Sequence, residues 1–114
     1  MTVDGVFPKV DGDIMYGRDA NMAYFQAVLS DTLNHASVNI ADSATEIKAV
    51  NTSRKCILLK NNGSVTVYIG EDNTVTTLTG YPLEAGESIY IYDTEAVYGI
   101  TASGTGDIRY LEVQ

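Results

Sequence analysis

Cysteine, histidine and tryptophan are nearly or wholly missing from this 114-residue sequence, and so is any long apolar run. A single cysteine, Cys56, rules out a disulfide within the chain. A small domain without disulfides or a metal-ligand cluster must rely on its core or on a partner chain. The one histidine, His35, has no serine or cysteine set beside it by a recognisable motif, so nucleophilic catalysis lacks its usual parts. No stretch approaches the about 18 consecutive apolar residues that a membrane-spanning helix requires. Met1-Thr2-Val3-Asp4-Gly5 offers neither a basic n-region nor an apolar h-region. No signal peptide is expected, and synthesis in a cytoplasm without export is the expectation.

Bases are scarce too: seven against fifteen acids, a net charge of −8. The excess is even, with six acids against two bases in residues 1–42 and nine against five in 43–114. An evenly acidic surface repels phosphate backbones and anionic lipid, so neither direct nucleic-acid binding nor membrane binding is expected. Solubility is the ordinary reading of such charge.

What the sequence does contain is a folded protein's share of apolar residues, 45%, with 19% charged. It also has eight tyrosines against two phenylalanines. A tyrosine has an apolar ring and a polar tip, which suits half-buried sheet faces and wet interfaces.

Residues 1–17 (MTVDGVFPKVDGDIMYG) break any helix with Gly5, Pro8, Gly12 and Gly17. Yet Val6, Phe7, Val10, Ile14, Met15 and Tyr16 are too apolar for a free polar tail. The reading is an extended arm lying on a neighbouring chain, or else on its own domain. Residues 19–36 are the one helix expected: Asp19 suits the N-cap, and Met22, Phe25, Leu29, Leu33 and Ala36 recur at spacings of three and four, with Val28 at the stripe's edge. A lone helix of this length is marginal in water, so the stripe must be covered by the β-domain or by symmetry mates. Ser37 to Ser43 reads as a linker, which divides the chain into a docking arm and helix at 1–42 and an antiparallel β-domain at 43–114.

From Glu46 onward, strands alternate with turns. Residues 54–60 (RKCILLK) are apolar through their centre, as in a strand covered on both faces. Asn61-Asn62-Gly63 reads as a hairpin turn. Val65, Val67 and Ile69 then alternate with Thr66 and Tyr68. The polar stretch 71–80 has room for a short edge strand at 75–78, and Pro82 and Gly86 bracket a turn. Strands follow at 88–92, 96–101 and 107–113, the last two joined by a glycine-rich hairpin at 103–106. The fold class expected is mainly β, an antiparallel sandwich or small barrel preceded by the arm and one α-helix.

Sites of chemistry are few. His35 reads as a surface residue or a helix C-terminal cap. Cys56 reads as a small buried hydrophobe. Asp11-Gly12-Asp13 and Glu71-Asp72-Asn73 lack the further oxygen ligands that calcium needs, and turn chemistry explains both. Gly104-Thr105-Gly106 precedes a strand rather than a helix and lacks a P-loop lysine. No cofactor or metal is expected. Tyr90 and Tyr92 share one strand face, with Tyr68 and Tyr110 also set opposite the aliphatics. They suit cross-strand packing, a subunit interface or stacking on sugar rings.

Three stretches carry a likeness: 54–70 (RKCILLKNNGSVTVYIG), 79–88 (TGYPLEAGES) and 96–112 (AVYGITASGTGDIRYLE). Together they resemble the small β-domains of tailed-bacteriophage virion proteins over roughly residues 50–114. Residues 11–33 resemble, more weakly, the arm-plus-helix segments that precede phage appendage domains. The resemblance implies a structural protein of the virion without catalysis, made in the host cytoplasm and present in several copies, with a trimer favoured. Its partners would be a major capsid, neck or tail protein, met as a capsid decoration (cement) or head–neck or appendage-attachment protein. A carbohydrate-binding or host-attachment module of a tail or fibre protein is the alternative. Val6, Phe7, Val10, Ile14, Met15, Tyr16, Met22, Phe25, Leu29, Leu33, Tyr90 and Tyr92 are the candidate interface residues.

Overall fold

Period-two alternation decides the architecture from Leu33 onward. A computed structural model describes residues 32–114; the expected arm at 1–17 and residues 19–31 of the helix expected over 19–36 lie outside the described residues. Eight strands follow: β1 (Leu33–Ile40), β2 (Thr45–Lys48), β3 (Cys56–Asn61), β4 (Val67–Gly70), β5 (Tyr81–Leu83), β6 (Ser88–Ile91), β7 (Val97–Ile100) and β8 (Gly106–Val113). They form two four-stranded antiparallel sheets, β1-β8-β3-β6 and β2-β7-β4-β5. No helix occurs among the described residues, so the β-rich class expected of the C-terminal part is what the structure shows.

Each strand sends every second side chain inward. Ile40, Ile57, Leu59 and Ile108 from the first sheet meet Ile47, Val67, Ile69, Leu83 and Val97 from the second in one buried cluster. Ile40, Ile57, Leu59, Val67 and Ile108 lose all exposure to water, and fully burying such a side chain is worth about 1.5–3 kcal/mol. Gly106, at the start of β8, keeps the sheets close: a Cβ there would lie 2.7 Å from Val67 Cγ2. Gly104, just before it, holds φ at +76°, a left-handed turn conformation that glycine adopts without strain.

The structure corrects several local expectations. Leu33 and Ala36 are not the end of a helix, His35 does not cap one, and 37–43 is not simply a linker, because Leu33–Ile40 is strand β1. The spacing from Leu29 continues by coincidence through Leu33 and Ala36. The same stretch read at period two puts Ala36, Val38 and Ile40 on one side, and its full-length ladder with β8 decides the outcome. The β-domain therefore begins about ten residues before the expected boundary at 43.

Neither glycine-containing turn makes a hairpin. β3 and β4 lie in different sheets, as do β7 and β8. Asn61 shows why. Its buried side chain donates to the carbonyls of Val65 and Leu83, both at 2.8 Å, and accepts from the Gly63 N–H at 3.0 Å. That steers the chain across from one sheet to the other. The consecutive strands that do pair are β4 and β5, and β5 occupies Tyr81–Leu83 rather than 75–78. Pro82 is tolerated there because β5 is an edge strand. Val75 lies in a turn instead, 8% exposed and packed close to Gly70.

One end of the domain is held by a buried polar network. Arg54 Nε donates to Glu112 at 2.8 Å, and both side chains are wholly buried. The same guanidinium reaches the carbonyls of Ala49 (2.8 Å), Glu95 (2.6 Å) and Asp93 (3.3 Å). Asn34 and Asn51 also donate to Glu112, at 3.1 and 3.2 Å, and the Lys48 ammonium lies 3.8 Å away. Burial pushes the Glu112 carboxyl up, but the bonds from Arg54, Asn34 and Asn51 and the charge of Lys48 outweigh it and hold it below the ordinary carboxylate range.

Glu112→Ala strands the Arg54 charge in the interior, and a loss of about 3–5 kcal/mol is expected in chemical denaturation. A carboxyl depressed in the fold contributes stability that is complete above its unfolded pKa and is lost as pH falls through the folded one. Stability of the wild type should therefore fall on acidification below the ordinary carboxylate range. Glu112→Gln should flatten that acid limb; an unchanged limb would contradict the assignment.

Candidate interaction surface

The side chains that β1, β8, β3 and β6 send outward form ordered rows, because antiparallel register places partners side by side. His35 stands opposite Leu111, Leu111 opposite Leu58, and Leu58 opposite Tyr90. One step along lies the row Leu33, Val113 and Cys56; on the other side lies Ser37, Arg109, Lys60 and Ser88. Two apolar rows thus adjoin a polar one.

No other element of the described fold covers these rows. Among the described residues seven large hydrophobics are exposed, and four of them belong here: Leu33 (60%), Leu111 (41%), Tyr90 (58%) and Tyr92 (76%), which follows β6 directly. Leu58 and Cys56 are half-buried. Tyr90 and Tyr92 lie side by side, ring centroids 6.1 Å apart and planes 19° off parallel. An open groove of about 660 Å³ runs over the face between His35, Leu58, Lys60 and Leu111. At its polar border Arg109 makes two 3.1 Å bonds to Asp107. Those bonds, with one from Asn62, hold the Asp107 carboxyl below its usual range.

β3 makes the exposure unexpected. Its run Cys56-Ile57-Leu58-Leu59 has the composition of a strand covered on both faces, yet only Ile57 and Leu59 are covered. Apolar patches of this kind, rimmed by polar groups, mark surfaces that meet other molecules.

Of the candidate interface residues, Val6, Phe7, Val10, Ile14, Met15, Tyr16, Met22, Phe25 and Leu29 lie outside the described residues. Leu33, Tyr90 and Tyr92 share this one face, Leu33 from a strand where a helix was expected. Reasoning from the sequence missed Leu58, Leu111, Lys60 and Arg109. Leu58 carried a signal, since the apolar run at 56–59 exceeds what one covered face can use. Leu111 carried none, because which side of β8 faces the core depends on its pairing.

The four tyrosines do not form one platform. Tyr110 turns to the core side, 5.5 Å from the Lys48 ammonium, and Tyr68 belongs to the second sheet. Among the described residues no group of three His, Cys, Asp or Glu side chains is placed to hold a metal ion. The Asp72 carboxylate accepts from the Thr74 N–H and hydroxyl, a local turn that lowers its pKa. Cys56 is half-buried on the outer face rather than in the core.

Substitutions on the two sides of the sheet should separate sharply. Leu59→Ala, inside, should cost about 2–5 kcal/mol, whereas Leu111→Ser, outside, should stay within about 0.5 kcal/mol of the wild type. Denaturant titration checks both, and equal losses would mean that the outer face is covered in the isolated protein. Neither a family model nor a curated protein nor a solved structure matches this chain.

Proposed function

We propose that this chain is a non-enzymatic structural protein of a tailed-bacteriophage virion, a capsid decoration or head–neck or appendage-attachment protein. In this reading it is made in the host cytoplasm, enters the particle in several copies and seats the outer face of β1-β8-β3-β6 on another virion protein. The observation that carries the reading is that face: two apolar rows bordered by Lys60 and Arg109, on an otherwise acidic chain.

Three further points support it. The strand orders 1-8-3-6 and 2-7-4-5 are those of a jelly roll, an antiparallel sandwich found in viral capsid and lectin domains. Residues 50–114, roughly, resemble phage virion β-domains at the level of sequence. Residues 1–17, with Met22, Phe25 and Leu29, are apolar enough in sequence to join the docking. Repetition of a modest contact around a symmetric particle multiplies its hold, so each copy needs only weak affinity.

A second reading, a carbohydrate-binding module of a host-attachment protein, is favoured by the exposed Tyr90–Tyr92 pair, since aromatic faces stack on sugar rings. The two readings separate on one substitution each. Under the first, Leu111→Asp folds normally but is lost from purified particles, while Tyr92→Ala retains most incorporation. Under the second, Tyr92→Ala abolishes binding in a glycan array and leaves incorporation intact. Normal incorporation of Leu111→Asp would remove this face as the docking surface.

A further inference from the structure

A β-sheet has edges as well as faces, and an unpaired edge is a template for another strand. Folded proteins blunt such edges with short length, proline, charge or a bulge. Three of the four edges here are blunted. β5 is three residues long with Pro82 at its centre. β2 is four residues long, broken in register between Glu46 and Lys48, and it carries both charges. β6 is four residues long, with Glu87 before it and Asp93 just beyond.

The fourth edge has none of these devices. β1 runs for eight residues, LNHASVNI, without proline, glycine or any Asp, Glu, Lys or Arg. It pairs with β8 along its whole length and with no described strand on its other side. Thr32 and Gln114 exchange both backbone bonds, 3.2 and 3.0 Å. Antiparallel alternation then points the even-numbered residues of β1 at β8 and the odd-numbered ones away from it. Among the described residues, the N–H and C=O groups of Leu33, His35, Ser37 and Asn39 have no strand partner and form the free edge.

We infer that two copies of this chain pair β1 with β1 across a two-fold axis, extending the four-stranded sheet to a continuous eight-stranded one. A two-fold axis normal to the sheet keeps the outer faces on one side and fixes which registers are allowed. Centring it on Ala36 sets His35 opposite Ser37 of the second copy and Leu33 opposite Asn39. In that register every free N–H and C=O of the four odd residues finds a mate. At the axis the two Ala36 residues form a non-hydrogen-bonded pair, the kind with the closest approach of chains, about 4.5 Å between Cα atoms. A small side chain suits that position.

The self-complementary register favours a second copy as the occupant, and charge does not oppose it. In a chain of net charge −8 most self-contacts repel, but β1 contributes no acid to the seam. The pairing also joins the two outer faces into one larger apolar surface. It yields two copies, where the sequence alone favoured three. This inference stands independently of the virion reading.

The test uses the full chain, with sedimentation across the micromolar range and amide hydrogen exchange read residue by residue. The wild type should be a dimer, with the amides of Leu33, His35, Ser37 and Asn39 exchanging at least about ten-fold more slowly than in a monomer. Ser37→Pro removes an N–H that bonds to no described residue, so the fold should survive while the dimer dissociates. Ser37→Lys, which places a charge on the seam, should do the same. A wild type that stays monomeric, or a dimer in which the odd-numbered β1 amides exchange freely, overturns the proposal.

Discussion

A sheet has two faces, and water must be kept from whichever is apolar; in β1-β8-β3-β6 the described residues cover only one. Much of this protein follows from that constraint. The inward side of the first sheet is closed by the second, through Ile40, Ile57, Leu59 and Ile108 against Val67, Ile69, Leu83 and Val97. The outward side presents Leu33, Leu58, Leu111, Tyr90 and Tyr92 with no described element over them. Because the side-chain period is two, no local repacking can hide these residues without exposing the core. A docking surface of this kind is what the proposed virion role requires.

The rest of the fold holds that face in register. β8 is the pivot: it pairs with β1 on one side and β3 on the other, so it aligns Leu111 with both His35 and Leu58. Its inward Glu112 is locked by Arg54, whose guanidinium also takes carbonyls from the segments around Ala49 and Asp93–Glu95. Buried ion pairs are weak evidence for net stability, since desolvation offsets much of their attraction. What this one supplies is position. It fixes the loops at the end of the sheet where Leu33, Val113 and Cys56 lie. At the far end Asn61 bridges Val65 and Leu83 and so ties the first sheet to the second.

The strands were legible wherever alternation ran against a clear polar partner. Residues 88–91, 97–100 and 106–113 fall where period two places them, and Val67 and Ile69 face inward as their alternation with Tyr68 indicates. Connectivity was not legible. Asn61-Asn62-Gly63 and 103–106 hold real turn chemistry, but a tight turn does not reveal whether the next strand joins the same sheet or the opposite one. β1 was hidden for a related reason. Leu33 and Ala36 fit a helical spacing, and only the distant partner β8 makes the strand reading win. On the candidate surface, Tyr90 and Tyr92 were visible because tyrosine alternates there with isoleucine. Leu111 and Arg109 needed the register. The apolar run at 56–59 was the most informative signal in the chain: it asked for two covered faces, and the described residues supply one.

Hydroxyl-radical footprinting of the protein, free and within purified particles, tests the proposed docking face most directly. The account predicts that Tyr90, Tyr92, Leu58 and Leu111 lose reactivity on assembly, while Leu78 and Tyr81, exposed elsewhere in the fold, keep theirs. Unchanged oxidation of Leu111 and Tyr90 in the particle would contradict it.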